Sequence, residues 1–179
     1  RGWARMILII STCAEKLNEN EFVKPIVNIV GEDFEVKHYS DVVSVEGYEK
    51  VIICGTALKD NEFLENLDKF IWVLETETPI LGICSGMQIL ALSFGAELVE
   101  AKEIGVANIK VLEENPLFSE DLEVYELHGN GLTNLNQFDI LAETSGSVQA
   151  IRHKEKRFYG IMFHPEVRNQ SVVKNFLDS

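Results

Sequence analysis

Short aliphatic runs alternate with stretches of helical period through the first half of the chain. Met6–Ile10, Phe34–His38, Val51–Cys54 and Ile80–Ile83 read as strands. The unbroken apolar character of such runs predicts burial on both faces, as in a parallel sheet covered by helices. Between the strands, Glu21–Val30 predicts a helix with Pro25 tolerated in its first turn. Glu62–Glu75 predicts an amphipathic helix, because Phe63, Leu67, Phe70 and Leu74 recur at helical steps and form one stripe. Ser85–Phe94 predicts a third helix in which Met87, Leu90, Ala91 and Phe94 make one apolar stripe, while Ile89 and Leu92 carry apolar character round the other side. A helix apolar all round is expected to be buried. After Gly95 the rhythm changes to strand-like runs at Ile104–Val111, Val124–Leu127, Phe138–Thr144, Val148–His153 and Phe158–Met162, with Gly, Asn and Pro between them. These predict hairpins added to the sheet and its edge, and a helix over Ser171–Leu177 follows.

The reading is therefore one α/β domain over residues 1–179, with a mostly parallel central sheet flanked by helices and extended by antiparallel strands. Arg1–Arg5 precede the first strand without the apolar core of a secretory signal, and read as residues contributed upstream of a native start at Met6. No linker, repeat or low-complexity stretch marks a second domain. At 179 residues and 46% hydrophobic, the chain is long and apolar enough to bury a full core. No run approaches the roughly 20 apolar residues of a spanning helix, which argues against a membrane protein. The formal charge of −13 argues against binding nucleic acid through a basic face. Cys13, Cys54 and Cys84 are too few and too scattered for a disulfide framework, and no CxxC pair offers a zinc site. A reducing cytoplasm fits this usage, and no metal site is expected.

Candidate chemistry sits where a predicted strand meets a predicted helix. Gly82-Ile83-Cys84-Ser85-Gly86 places a cysteine between two glycines at that junction, the arrangement of a nucleophile elbow. The turn is sharp enough to crowd neighbouring backbone, so small residues are needed on either side of the nucleophile. At a helix N-terminus the unpaired N–H groups and the helix dipole favour a thiolate. A cysteine nucleophile needs a base, and the candidates are His38, His128, His153 and His164. His38 and His153 have no distinctive surroundings. His164 closes a predicted strand in Phe163-His164-Pro165-Glu166-Val167, where residues two apart point the same way, so Glu166 is placed to orient the imidazole.

Gly82–Gln88 (GICSGMQ) together with Phe163–Val167 (FHPEV) resembles the triad, or class I, glutamine amidotransferases, a family with a flavodoxin-like α/β fold. Glu103–Ala107 and Leu127–Asn130 resemble the E-Y-G-x-A and S-H-G-D stretches of the family's GMP synthase branch, and Asn175–Leu177 fits its closing helix. The resemblance covers most of the chain from the third strand onward. It implies a glutaminase acting through a glutamyl thioester, with Cys84 as nucleophile, His164 as general acid and base, and Glu166 as its orienting partner. It further implies an oxyanion hole from the Ser85 N–H and from the turn at Gly55 and Thr56, Gln88 near the substrate, and His128 at a surface that signals to a synthetase. No cofactor is implied. Two features depart from the pattern. Gly55-Thr56-Ala57 stands where the family has S-G-G-P, and Asn130 stands for the Asp of S-H-G-D.

No GxxxxGK[ST] loop occurs in the chain, so ammonia made from glutamine would pass to a separate ATP-dependent synthetase subunit, of GMP synthase type by resemblance. A stand-alone γ-glutamyl hydrolase or peptidase, and a noncatalytic regulatory subunit of the same fold, are the competing functions.

Overall fold

The structure, a computed structural model, describes residues 6–179; the reading of Arg1–Arg5 as an upstream addition lies outside the described residues. Nine strands form one sheet in the order β2-β1-β3-β4-β9-β8-β7-β5-β6. The first half supplies β1 (Ile7–Ser11), β2 (Phe34–His38), β3 (Lys50–Ile53) and β4 (Ile80–Ile83), all parallel, with β9 (Phe158–Ile161) joining parallel to β4. The antiparallel extension is β8 (Val148–His153), β7 (Phe138–Glu143), β5 (Glu97–Val111) and β6 (Leu122–Thr133).

The double-sided burial predicted for the parallel strands is observed. Leu8, Ile10, Val51, Ile53 and Ile80 pack on one face with Phe63, Phe70, Trp72, Ile89 and Leu90. Ile7, Ile9, Ile52, Leu81 and Ile83 pack on the other with Val23, Ile26, Met87, Val173 and Phe176. The helix predicted after the elbow is α3 (Ser85–Ser93), buried from Ser85 to Ala91. The closing helix, α4 (Ser171–Asp178), runs one residue beyond its predicted end. Its last carbonyls, those of Phe176 and Leu177, accept from the buried Lys50 ammonium at 2.8 and 2.7 Å, a cation placed where the helix dipole favours one.

Three elements differ from expectation. Glu21–Val30 is two pieces, α1 (Glu19–Phe22) and α2 (Lys24–Val30), because Pro25 has no N–H to offer the Glu21 carbonyl and its ring crowds that group. Pro25 does lie in a first turn, that of α2. The Glu62–Glu75 segment is a 3-10 helix over Glu62–Leu74, broken at Asn66 and Phe70. The Asn66 amide donates to the Glu62 carbonyl at 2.9 Å, taking the acceptor that a continuous α-helix would use, and Leu74 turns outward. β5 and β6 extend well past the runs Ile104–Val111 and Val124–Leu127, as a long hairpin with a bulge between Glu100 and Glu103. One of its faces meets solvent, so its alternation carries polar residues that broke the apolar pattern. Among the described residues no helix is long and apolar enough to cross a membrane.

Candidate active site

The parallel strands β1, β3, β4 and β9 all end on one edge of the sheet, the edge where α/β folds place their sites. Cys84 follows β4 with φ 51° and ψ −103°, a backbone conformation sparsely populated by residues other than glycine. The flanking glycines are steric necessities. A Cβ on Gly82 would lie 2.4 Å from the Gly86 carbonyl oxygen, and one on Gly86 would lie 2.2 Å from the Ile53 carbonyl oxygen. The elbow read from sequence is therefore built as expected, with the sulfur on the sheet edge and the first N–H groups of α3 beneath it.

His164 arrives from the other side. β9 ends at Ile161, so His164 and Glu166 are not strand neighbours but lie in a turn closed by the Val167 N–H donating to the His164 carbonyl at 3.2 Å. The pairing expected from strand alternation is delivered by this turn instead: His164 Nδ1 is 2.7 Å from Glu166 Oε1, with both side chains buried. The imidazole and the cysteine meet over Gly55, where a Cβ would stand 2.8 Å from His164 Cε1 and 3.3 Å from Cys84 Cβ. Gly55 thus clears the space in which the two reactive side chains approach each other. Its φ is not positive, so its presence here is explained by that close approach rather than by backbone conformation.

Both reactive groups share a backbone acceptor that sequence reasoning missed. The Leu127 carbonyl oxygen is 3.6 Å from Cys84 Sγ and 3.4 Å from His164 Nε2. Every residue carries a carbonyl, so no sequence signal marks this one. His164 Nδ1 faces a carboxylate and Nε2 faces a carbonyl, two groups that accept, and this favours the doubly protonated ring. Burial works against that charge, but the Cys84 sulfur and the Glu166 carboxylate outweigh it and hold the His164 pKa well above its ordinary 6.5. Protonated His164 then adds stability that is complete below about pH 6.5 and is lost as pH rises through the higher folded-state value. Cys84→Ala removes the leading influence that raises this pKa. The imidazole is expected to titrate at clearly lower pH in that variant, followed by NMR of labelled histidine; identical midpoints in the two proteins would show that the sulfur does not set the protonation of the ring.

A cavity of about 30 Å³ opens above Cys84, lined among others by Thr56, Ser85, Gln88, Leu127 and Asn130. Gln88, a first-turn residue of α3, is buried and its amide donates to the Asn130 carbonyl at 3.4 Å, tying α3 to β6. The Ser85 hydroxyl faces away from the elbow, toward Thr12 Oγ1 at 2.9 Å and the Cys54 carbonyl at 3.1 Å. Only its backbone N–H is then left to serve the cavity. Thr56 donates to Asp60 Oδ2 at 2.6 Å, and the same oxygen accepts from the Ala14 N–H at 2.7 Å. Asp60, absent from the expected set, thereby pins the turns after β1 and β3 together.

His128 departs from expectation. Expected at a signalling surface, it is 2% exposed and lies between Glu103 and Glu126 under the cavity wall. The alternation along β6 that turns the Leu127 side chain to the cavity sends that of His128 inward. The other two histidines have structural partners: His38 Nε2 meets the Cys13 carbonyl at 3.0 Å, and His153 accepts from the Glu155 and Lys156 N–H groups.

Comparison with known proteins places this geometry. The family model "Glutamine amidotransferase class-I" matches residues 15–178. The chain is 32% identical over 149 residues to the glutamine-hydrolysing subunit of GMP synthase from Thermoplasma acidophilum, covering 76% of this chain and 74% of that protein. A solved structure described as a GMP synthase subunit, also from Thermoplasma acidophilum, superposes with a TM-score of 0.85 at 25% identity, over 98% of this chain and 93% of that one. A glutamine amidotransferase from Thermotoga maritima shares the fold, with a TM-score of 0.73 at 22% identity over 98% of this chain and 81% of its own.

Proposed function

The chain belongs to the class I glutamine amidotransferases, and from that premise we propose that it is a glutaminase subunit that hydrolyses glutamine and hands the ammonia to a separate ATP-dependent synthetase subunit, for the amination of XMP to GMP. The observation that carries the reading is the meeting of Cys84 and His164 over Gly55, with Glu166 behind the imidazole. The names of the Thermoplasma relatives, glutamine-hydrolysing subunits of GMP synthase, support the choice of partner.

In this mechanism the Cys84 sulfur attacks the side-chain carbonyl carbon of glutamine, and the thiol proton resides on His164 Nε2. The oxyanion that forms needs donors in place before the charge develops. The Ser85 N–H at the start of α3 is one, and a backbone N–H of the Gly55–Thr56 turn is the other. His164 passes its proton to the departing nitrogen, which leaves as ammonia, and the enzyme retains a glutamyl thioester. Water then attacks, His164 takes a proton from it, and collapse of the second tetrahedral intermediate frees glutamate and returns the thiol. Glu166 accepts from Nδ1–H throughout, fixing the ring and stabilising its charged form.

A cavity of about 30 Å³ is too small for a glutamine carboxamide and its stem. It is room for about two waters, each of which needs roughly 10–15 Å³ by this measure. Productive binding therefore requires the Leu127–Asn130 wall to move away from Cys84, and docking of the synthetase is the event that moves it.

Ammonia release from glutamine is expected to be slow for the purified chain alone and to rise at least tenfold, a threshold worth about 1.4 kcal/mol of barrier, when the synthetase subunit, XMP and ATP are added. Absence of ammonia in both conditions would refute the glutaminase. Equal turnover of γ-glutamyl peptides without any partner would favour the stand-alone hydrolase.

A further inference from the structure

β5 and β6 bring together three side chains that the proposed reaction does not use. Glu103 stands opposite His128 in the ladder, just past the bulge, and Glu126 precedes His128 by two residues and shares its face. One donor atom from each lies within 4.8 Å of the others. His128 Nε2 is 3.4 Å from Glu103 Oε1 and 3.0 Å from Glu126 Oε2. Glu126 is 1% exposed.

Two carboxylates facing each other in a buried place need a cation. Among the described residues the only cationic side chain within ion-pair distance of either is His128, so its tautomer decides the matter. Nδ1 lies 3.1 Å from the Asn130 carbonyl oxygen, which can only accept, so Nδ1 carries a hydrogen. A neutral ring then presents the Nε2 lone pair to the two carboxylates. A proton on Nε2 would relieve the repulsion, but its N–H does not point at either oxygen. Nε2 and both oxygens of Glu126 are buried without a hydrogen-bond partner. The three donors face a common point rather than one another.

We propose that Glu103, Glu126 and His128 form a binding site for one divalent first-row transition ion of the zinc class. Separations of 3.0 and 3.4 Å bracket the spacing of about 3.3 Å that ligands at roughly 2.0–2.1 Å subtend in a tetrahedral site. An imidazole with two carboxylates suits such an ion better than calcium or magnesium, which take oxygen alone. An orienting outer shell is in place: Glu103 Oε2 accepts from Thr144 Oγ1 at 2.9 Å, and Oε1 accepts from the Ser147 hydroxyl and from Gln149 Nε2, the latter at 3.2 Å. The second Glu126 oxygen or a water completes the coordination. Entry is past Glu103, whose side chain is 19% exposed beside the exposed Gly146. Because His128 also holds the Asn130 carbonyl, an ion here braces the wall of the cavity above Cys84.

The chelator-treated full chain should be titrated with Zn²⁺ and with Co²⁺, and followed by calorimetry, thermal unfolding and absorption. One equivalent per chain, a raised unfolding midpoint, and a cobalt spectrum without a thiolate charge-transfer band, unchanged when Cys84 is alkylated, are the expected results. Glu126→Gln should weaken binding by about 100-fold or more, since loss of a ligand costs at least as much as loss of an outer-shell partner. Glu103→Gln is the second variant should Glu126→Gln fail to fold. The site is overturned if the folded chain takes up neither ion, if the cobalt spectrum shows a thiolate band that alkylation abolishes, or if a folded variant binds as the parent does.

Discussion

Replacement of Cys84 by alanine is expected to cut ammonia release from glutamine by on the order of 10⁴-fold or more, the scale on which enzymes lose rate with their covalent nucleophile. Replacement by glycine should be equally inactive, yet the two variants should differ in stability. Cys84 is held at φ 51° and ψ −103°. A side chain there costs about 1–3 kcal/mol, a strain that alanine keeps and glycine relieves. Glycine gives back about 0.5–1 kcal/mol through the freedom of its unfolded chain. The net expectation is that Cys84→Gly unfolds with about 1 kcal/mol more stability than Cys84→Ala, read as a higher urea midpoint at unchanged slope. Equal midpoints, or a more stable alanine variant, would show that the elbow stores no strain.

The elbow is legible in the sequence because everything it needs is local. An apolar strand, glycines two positions either side of Cys84 and an apolar helix lie within one short stretch, and their steric logic does not depend on the rest of the fold. The parallel half is legible for the same reason. Strands buried on both faces must be apolar throughout, and Ile7–Ser11, Lys50–Ile53 and Ile80–Ile83 nearly are. Legibility fails where a single side chain or a distant strand decides. The Asn66 amide takes the carbonyl that would have continued an α-helix, and no apolar count registers that. Strand alternation pairs His164 with Glu166 correctly but for the wrong reason, since a turn rather than a strand holds them. The motif around His128 points to a surface, whereas its burial depends on pairing with Glu103 across a hairpin whose bulge no spacing in the chain announces. The Leu127 carbonyl stays invisible because a backbone acceptor has no residue type to betray it.

Gly86→Ala should be the most damaging single-methyl change in the molecule, and it separates local preference from tertiary fit. On propensity alone, alanine is the better residue in a helix, by at most about 1 kcal/mol. The methyl would stand 2.2 Å from the Ile53 carbonyl oxygen and 3.0 Å from that residue's carbonyl carbon and Cβ. Those first two atoms belong to the backbone of β3, fixed by its neighbours β1 and β4, so no rotamer change can yield the space. Either α3 lifts off the sheet, or β3 bends at the point where it delivers Gly55 to the site. The expected loss is about 3 kcal/mol or more, at the upper end of overpacking costs, and any folded fraction should lose most of its glutaminase rate because Cys84 moves with the first turn of α3. Gly160→Ala is the comparison. Its methyl would meet Met87 Cγ at 2.7 Å and Ile151 Cγ1 at 3.0 Å, side-chain atoms of which the methionine can swing away. It should cost about 1–2 kcal/mol. Chemical denaturation of the two variants tests the ordering: a Gly86→Ala protein as stable as the parent, or more stable than Gly160→Ala, would mean that α3 does not press on β3 as tightly as the 2.2 Å approach requires.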